Sequence, residues 1–273
     1  MKGVARREVR KLSGGDWTAS DDDIVAEEPL EIRAAGETMA ITMRTPGADR
    51  ELAIGFLFAE GIIATRDDVG SVAHCGRPDQ EGFGNTIDVR PGAGVSLDLD
   101  RLSATRRGTL TTAACGVCGR RTVDDVIGRC APQKVATAMI AHAMISQATA
   151  ALRKLQPNFT RTGGIHAAAL HDARGEVLAA FEDIGRHNAL DKVVGKLVLE
   201  GRIPGSEAAL LVVSGRASFE VVQKASAAGI PIVASVSAAS SLAVDLARAA
   251  GITLCGFVRD GKMTVYAHAE RIA

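Results

Sequence analysis

Residues 210–236, LLVVSGRASFEVVQKASAAGIPIVASV, decide the fold class of this chain. Leu210 to Val213 is a short apolar run typical of a buried strand, and Phe219 to Ala228 carries apolar residues at helical spacing. A second apolar run, Pro231 to Val236, follows directly. Strands that alternate with helices at this short spacing predict βαβ units with parallel pairing, and therefore an α/β fold.

The pattern extends in both directions from this stretch. Towards the C-terminus it predicts a helix and a closing hairpin; towards the N-terminus it predicts two helices and a second hairpin. The predicted ranges are 132–155 (helix), 165–170 and 177–181 (hairpin), 188–199 and 240–250 (helices), and 252–258 and 263–268 (hairpin).

The N-terminal half has a different pattern. Pro29 to Ala35 and Thr38 to Thr45 alternate like two strands, Asp49 to Glu60 has helical spacing, and short strands are expected at 71–75 and 85–90. We therefore predict three regions: a flexible tail over 1–22, a smaller α+β domain over 23–130, and an α/β domain over 131–273. The long stretch over 91–122 has no clear period, which in a compact protein is typical of a functional or disordered loop.

Composition narrows the function classes. The chain has 273 residues, with 32 Lys plus Arg balancing 32 Asp plus Glu, and only 3% aromatic residues. Nucleic-acid binders usually carry a basic excess or stacking aromatics, so we expect no nucleic-acid partner. We also expect no membrane partner, because no apolar run is long enough to span a bilayer or to act as a secretory signal. The interpretation is a cytoplasmic protein, and its five Cys do not form a disulfide framework.

A close cysteine pair is the first candidate site. Cys115 and Cys118 are separated by Gly116 and Val117, and Arg120 and Arg121 follow. Neighbouring cations favour the nucleophilic thiolate, which suits sulfur relay or redox exchange. Zinc ligation is an alternative that would need further ligands such as Cys130 or the His74-Cys75 pair, and an inert exposed loop is a third.

Three further segments suggest binding of an anion. Residues 182–188, EDIGRHN, crowd charges at a strand-to-helix junction; Arg216 follows a buried strand within SGRAS; and residues 256–262, GFVRDGK, have the spacing of a phosphate loop. Met263 stands where such a loop has its magnesium-binding Ser or Thr, so an NTPase is not expected. Capped helices and a plain surface hairpin are the competing interpretations. His166, among alanines on a predicted strand, is by default a core histidine and only a weak sign of a pocket.

Taken in order, these segments resemble the FdhD family over about residues 27–272. The segments that carry the resemblance are CGVCG at 115–119, HAAA at 166–169, EDIGRHNALDK at 182–192, SGRASFEVVQK at 214–224 and VSAA at 236–239. The resemblance implies a sulfurtransferase required for formate dehydrogenase activity. It would accept persulfide sulfur from a cysteine desulfurase and pass it to a molybdenum bis-guanine-dinucleotide cofactor.

The resemblance also implies a fold and a set of site residues. It implies a cytidine-deaminase-like C-terminal domain, a smaller α+β N-terminal domain, a homodimer, and Cys115 as persulfide carrier with Cys118 as its catalytic partner. The implied cofactor-binding stretch, for which GDP would serve as a fragment mimic, consists of Phe257, Val258, Arg259, Asp260, Gly261 and Lys262. The anion-binding segments add Arg216, His187 and Arg186 as candidate cofactor-binding residues. No resident metal is expected. The alternative is a cofactor chaperone that binds zinc or a nucleotide without sulfur transfer.

Overall fold

The structure, a computed structural model, describes residues 3–77, 79, 83–99, 139–203 and 207–273. The described N-terminal half contains a two-stranded hairpin, a four-stranded sheet in the order β4-β3-β6-β5, and one helix. The hairpin is β1 (Val4–Ser13) and β2 (Asp16–Val25); the sheet is β3 (Glu28–Ala34), β4 (Glu37–Arg44), β5 (Val69–His74) and β6 (Thr86–Pro91); the helix is α1 (Asp49–Ala59).

The C-terminal half is built on a six-stranded mixed sheet in the order β12-β11-β10-β9-β7-β8. Its strands are β7 (His166–Asp172), β8 (Val177–Asp183), β9 (Ala208–Val213), β10 (Ile232–Ser235), β11 (Thr253–Arg259) and β12 (Lys262–Ala267). The prediction of parallel pairing is confirmed for β9, β10 and β11. Both predicted hairpins are confirmed as well, since β7 pairs antiparallel with β8 and β11 pairs antiparallel with β12. The antiparallel pairing of β7 with β9 was not expected.

Helices cover both faces of this sheet. They are α2 (His142–Leu152), α3 (Pro157–Thr162), α4 (Arg186–Leu199), α5 (Phe219–Ala227) and α6 (Ser241–Ala250), and short 3₁₀ turns lie at Arg66–Asp68, Arg153–Leu155 and Ala269–Arg271. Alternation along the strands divides the buried residues between two apolar clusters. Leu211 and Val213 join the cluster that contains α4, α5 and α6, whereas Leu210 and Val212 join the cluster under α2.

The two halves meet where α1 crosses α4. A Cβ atom at Gly55 would lie 1.9 Å from the backbone oxygen of Asp191, and one at Gly195 would lie 1.9 Å from the backbone oxygen of Glu51. Both glycines are therefore required for the helices to pack backbone against backbone. Because of this contact, one hydrophobic cluster includes buried residues of both halves, among them Leu30 and Leu197. The division near residue 130 stays a prediction.

The structure differs from the sequence-based expectations at two places. Residues 1–22 were expected to be a flexible tail, but 4–22 form most of the β1–β2 hairpin, in which Arg6 lies opposite Asp23 and Arg7 opposite Asp22. Ion pairs of Arg6 with Asp21 and of Lys11 with Asp22 link the strands, and neither face of the ribbon is continuously apolar, so the hydrophobic pattern did not indicate it. The helix expected over 132–155 begins, within the described residues, only at His142, because Ile140 instead bridges Ile272.

Candidate functional site

The candidate site lies at the ends of the strands of the six-stranded sheet, on the side where most of them have their carboxyl termini. Strands β8, β9, β10 and β11 all end at this edge, and β7, which runs antiparallel to β8 and β9, begins there. The segments after these ends are those that the sequence marked as candidates for anion binding. Ligands of open α/β sheets collect outside the carboxyl ends of strands, so the topology brings the candidate segments to the expected place. We call this surface the carboxyl edge.

Backbone hydrogen bonds join the loops of the carboxyl edge to one another. The loop after β9 is bonded to the loop after β10 through Ala217 N–H to Ala238 O (3.1 Å) and Ser240 N–H to Ala217 O (3.0 Å). The N–H of Phe257 donates to Ser237 O at 3.0 Å, which attaches β11 to the same loop. The three segments therefore form one connected surface, with the loop after β10 between Arg216 and Phe257.

Part of the EDIGRHN segment is structural. Asp183 is fully buried, and its carboxylate accepts from Lys192 Nζ (2.6 Å), Thr45 N (3.2 Å), Gly185 N (2.8 Å) and Asn188 Nδ2 (3.0 Å). Lys192 also donates to the backbone oxygen of Thr45 at 3.0 Å. Because Thr45 directly follows β4, these buried contacts fasten the turn between β8 and α4 to the N-terminal half. They fix the position from which Arg186 and His187 project.

His187 lies in a buried polar cluster at the start of α4. Its Nε2 lies 2.8 Å from Glu220 Oε2 and 3.3 Å from Ser218 Oγ, and the hydroxyl of Ser218 donates to the same carboxylate at 3.0 Å. Burial alone would raise the pKa of Glu220, but the contacts with His187, Ser218 and Arg186 outweigh it and lower the pKa to about 2. Glu220 is therefore ionised at neutral pH and links the N-termini of α4 and α5.

Arg186 and His166 both lie against Gly215. A Cβ atom at Gly215 would lie 3.5 Å from both Arg186 Cδ and His166 Nδ1, so even a small side chain there would contact both residues. Burial lowers the pKa of His166, and the charge of Arg186 lowers it further. Arg186 Nε is buried and has no hydrogen-bond partner among the described residues. The carboxyl edge thus offers a cation with an unused donor beside an imidazole whose neutral form is favoured.

The hairpin between β11 and β12 begins at this edge and extends beyond it. Phe257 has a positive φ of 52° and is 53% exposed, a costly conformation for a bulky residue. Val258 is buried, so it supports the hairpin from inside. The exposed Arg259 pairs with the exposed Asp260 at 3.2 Å, and Lys262 is also exposed. Arg216 is exposed on the loop after β9 and makes no hydrogen bond or ion pair within the described part of the chain.

Two further residues at this edge are not among the site residues predicted from the sequence. Glu220 is one of them, because nothing in the sequence pairs it with His187 on another helix. Gln156, between α2 and α3, is 95% buried, and no periodicity marks it. Both side chains are buried by tertiary packing, so the sequence carries no signal that would identify them.

The cysteine pair Cys115 and Cys118 lies outside the described residues, as do Arg120, Arg121 and Cys130. Among the residues that are described, no group of three or more His, Cys, Asp or Glu could hold a metal ion. Cys75 is partly exposed and Cys255 is buried. Burial raises the pKa of Cys255 to about 12, so its thiolate is not accessible at neutral pH.

An open mixed sheet with helices on both faces defines an α/β protein, and its carboxyl edge carries cationic loops and an unused buried donor. Comparison with known proteins gives the particular one: the chain belongs to the FdhD/NarQ family, whose sequence profile matches residues 25–273. The resemblance read from the sequence is therefore confirmed. In the regions that the structure describes, no helix has the length and apolar character needed to cross a membrane.

Two relatives and one solved structure illustrate the match. The chain is 54% identical to a sulfur carrier protein FdhD of Anaeromyxobacter dehalogenans, over 98% of this chain and 93% of that one. It is 46% identical to a protein of the same name from Mycolicibacterium paratuberculosis, over the full length of both. A crystal structure from Desulfotalea psychrophila, of a proposed formate dehydrogenase accessory protein, has a TM-score of 0.77 at 24% identity over 99% of this chain and 100% of that one. That last likeness supports the mixed α/β fold.

Proposed function

We propose that this protein is a sulfurtransferase that carries persulfide sulfur to a molybdenum bis-guanine-dinucleotide cofactor on behalf of a formate dehydrogenase. The observation that carries the proposal is the family membership over residues 25–273, together with relatives named as sulfur carrier proteins. Within that match the chain contains a Cys-x-x-Cys pair followed by two arginines, which is the chemistry that a sulfur carrier needs.

The sulfur donor in this proposal is the cysteine persulfide of a desulfurase. The Cys115 thiolate attacks the outer sulfur of that persulfide, a new S–S bond forms, and the desulfurase thiolate leaves, with no net oxidation. On delivery, the Cys118 thiolate attacks the inner sulfur of Cys115 and releases hydrosulfide, and a Cys115–Cys118 disulfide remains. A cellular dithiol then reduces that disulfide. The released sulfur is taken up by the cofactor, which is a substrate here.

The carboxyl edge is the proposed binding surface for the cofactor. Its pyrophosphate groups need cationic and N–H donors, and Arg186 offers a buried Nε with no partner in the described structure. Arg216 and the Phe257–Lys262 hairpin add exposed cations on the two sides of the loop after β10, and His187 lies at the start of α4. These residues fit an anionic ligand. A GDP-like fragment would bind at the same groups.

The proposal also includes a cytidine-deaminase-like topology for the C-terminal half, a homodimer, a cytoplasmic location, and a cysteine desulfurase and a formate dehydrogenase as partners. The strand order of the mixed sheet supports the proposed topology, and membership of the family supports the dimer, the location and the partners.

Mass spectrometry of the purified chain tests the carrier function. After incubation with a desulfurase and cysteine, the wild-type protein should gain the mass of one sulfur atom on the peptide that contains Cys115. Cys115→Ala should abolish that gain and the maturation of formate dehydrogenase, while Cys75→Ala should change neither. Stoichiometric zinc that is lost in Cys118→Ala, without any mass gain in the wild type, would instead support a zinc-binding cofactor chaperone.

A further inference from the structure

A cavity of about 500 Å³ opens at the carboxyl edge, on the side of the sheet covered by α2. Its lining comes from α2, from the segment that leads through α3 to β7, and from the ends of β9 and β10. The lining includes Arg153, Gln156, Phe159, His166, Ser214 and Val236. Neither the exposed Arg216 nor the β11–β12 hairpin lines this cavity. The volume of the cavity is in the range of small-molecule sites.

The walls of this cavity suit a flat ligand. The guanidinium carbon of Arg153 lies 3.8 Å from the centroid of the Phe159 ring, so a planar cation and an aromatic ring are already stacked at the cavity. Leu152, Ile165 and Val236 supply apolar wall, and Gly163 and Gly164 leave one side without side chains. Flat, polarisable heterocycles stack well on the open face of such a pair.

The polar groups of the cavity favour an oxo-heterocycle. Gln156 is buried, and its Nε2 has no hydrogen-bond partner among the described residues. A side-chain amide carries a donor beside an acceptor, which is complementary to the adjacent N–H and C=O of a lactam edge. The hydroxyl of Ser214 accepts from Ala167 N at 2.8 Å and has its own proton left to donate. The Ser214 hydroxyl and the Arg153 guanidinium are both hydrogen-bond donors. A ligand that presents a carbonyl oxygen is therefore preferred over one that presents an amino group.

We infer that this cavity binds a planar lactam heterocycle, the ring edge that guanine and pterin have in common. The inference rests on the proposed function for its choice of ligand, since a molybdenum guanine dinucleotide contains both rings. The cavity shares His166 and Ser214 with the carboxyl edge, so one ligand could place a ring in the cavity and its phosphates over the Gly215 loop. Gln156 and Arg153 are then specificity residues that recognise the ring, whereas Arg216 contacts phosphate.

Binding of phosphate-free probes to the full-length protein tests this. The probes are 6-hydroxymethylpterin, followed by its own fluorescence, and guanosine, followed by equilibrium dialysis; adenosine, which lacks the lactam, is the comparison. At least one of the first two should bind, and more tightly than adenosine. Gln156→Leu and Arg153→Ala should each weaken that binding by about tenfold or more. Lys154→Ala, which removes a neighbouring exposed cation, should not.

The results distinguish this inference from the proposed function. Binding by guanosine alone or by the pterin alone would show which ring the cavity takes. If neither probe binds the wild type, or if Arg153→Ala and a folded Gln156→Leu both bind normally, the inference is wrong. Displacement of the bound probe by inorganic pyrophosphate would also overturn it, since the cavity would then be an anion site. Sulfur loading on Cys115 is measured separately, and its failure would contradict the proposed function without affecting ring binding.

Discussion

His187 and Glu220 lie 2.8 Å apart, Nε2 to Oε2, and join the first turns of α4 and α5 inside the protein. Both side chains are more than nine-tenths buried. Ser218 donates to the same carboxylate, so three polar groups at the carboxyl edge satisfy one another away from solvent. The cluster fixes the direction in which Arg186, the residue before His187, leaves the start of α4. The binding surface therefore depends on a carboxylate that need not contact any ligand.

Glu220→Gln should destabilise the protein at neutral pH by about 1.5–3 kcal/mol, the usual contribution of a hydrogen bond to a charged group. The pKa of Glu220, about 2, lies below its ordinary 4.5, so ionisation favours the folded state. The difference in the free energy of unfolding between wild type and variant should therefore be largest above about pH 4.5 and disappear as the pH falls through about 2. Urea denaturation at several pH values measures it. An equal difference at every pH would contradict this account. The control variant is Glu207→Gln, which changes an exposed carboxylate.

Gly195→Ala tests the crossing of α1 and α4. In an isolated helix Ala is favoured over Gly by about 1 kcal/mol, so an ordinary helical site would gain stability. Here the new Cβ would lie 1.9 Å from the backbone oxygen of Glu51, and the helices must separate. We expect a loss of about 1–3 kcal/mol or more in the free energy of unfolding, measured by thermal or chemical denaturation. Lys196→Ala, which removes a partly exposed neighbour and its ion pair with Glu200, should stay within about 0.5 kcal/mol, and a stabilised Gly195→Ala would refute the close packing.

Much of the fold could be predicted from the sequence because its strands are buried. The predicted strands over 210–213 and 231–236 correspond to Ala208–Val213 and Ile232–Ser235, and the helix predicted over 188–199 to Arg186–Leu199. Such boundaries are visible because apolar runs end sharply at polar loops. The β1–β2 ribbon was missed because it is held by charge pairs, with Gly14 and Gly15 at its turn, and hydrophobic periodicity contains no information about such pairs.

The site was predictable only as separate segments. Strand ends indicated that the loops containing Arg186 and Arg216 could meet, and the sheet topology brings them to one edge. The sequence could not divide EDIGRHN into a structural part and a surface part, because that division depends on Thr45, which is distant in the chain and supplies the contacts to Asp183 and Lys192. Long-range pairs between polar residues have no local signature, so His187–Glu220 was missed for the same reason.

Arg216→Ala should weaken the binding of GDP by about ten- to a hundredfold, since a charge-assisted phosphate contact contributes about 1.5–3 kcal/mol. Sulfur loading on Cys115 should be unchanged, because the cysteine pair receives its sulfur from another protein. Calorimetric titration of GDP and mass spectrometry of the loaded chain measure the two properties on one preparation. Arg174→Ala, an exposed arginine in the β7–β8 turn at the opposite edge of the sheet, is the matched control. Unchanged GDP affinity, lost sulfur loading in a folded variant, or hydrolysis of the nucleotide by wild-type protein would each contradict the assignment.

The last prediction concerns the electrostatic coupling across Gly215. Burial is the first cause that lowers the pKa of His166, and the charge of Arg186 is the second. Arg186→Met keeps an aliphatic chain against Gly215 but removes the charge, so the pKa of His166 should rise towards its ordinary 6.5 without reaching it. NMR titration of the imidazole signals measures this, with His166→Asn to assign the resonance.

A bound polyphosphate should have the same effect in the wild-type protein. Its negative charge would compensate that of Arg186, and the protonated form of His166 would gain stability. Adding GDP should therefore raise the pKa of His166 in the wild type, and less in Arg186→Met. His171, whose pKa is also lowered by burial but which lies near the opposite end of β7, is the internal control. If the pKa of His166 does not change in Arg186→Met, or if His171 shifts equally, the two residues are not coupled and the anion does not bind between them.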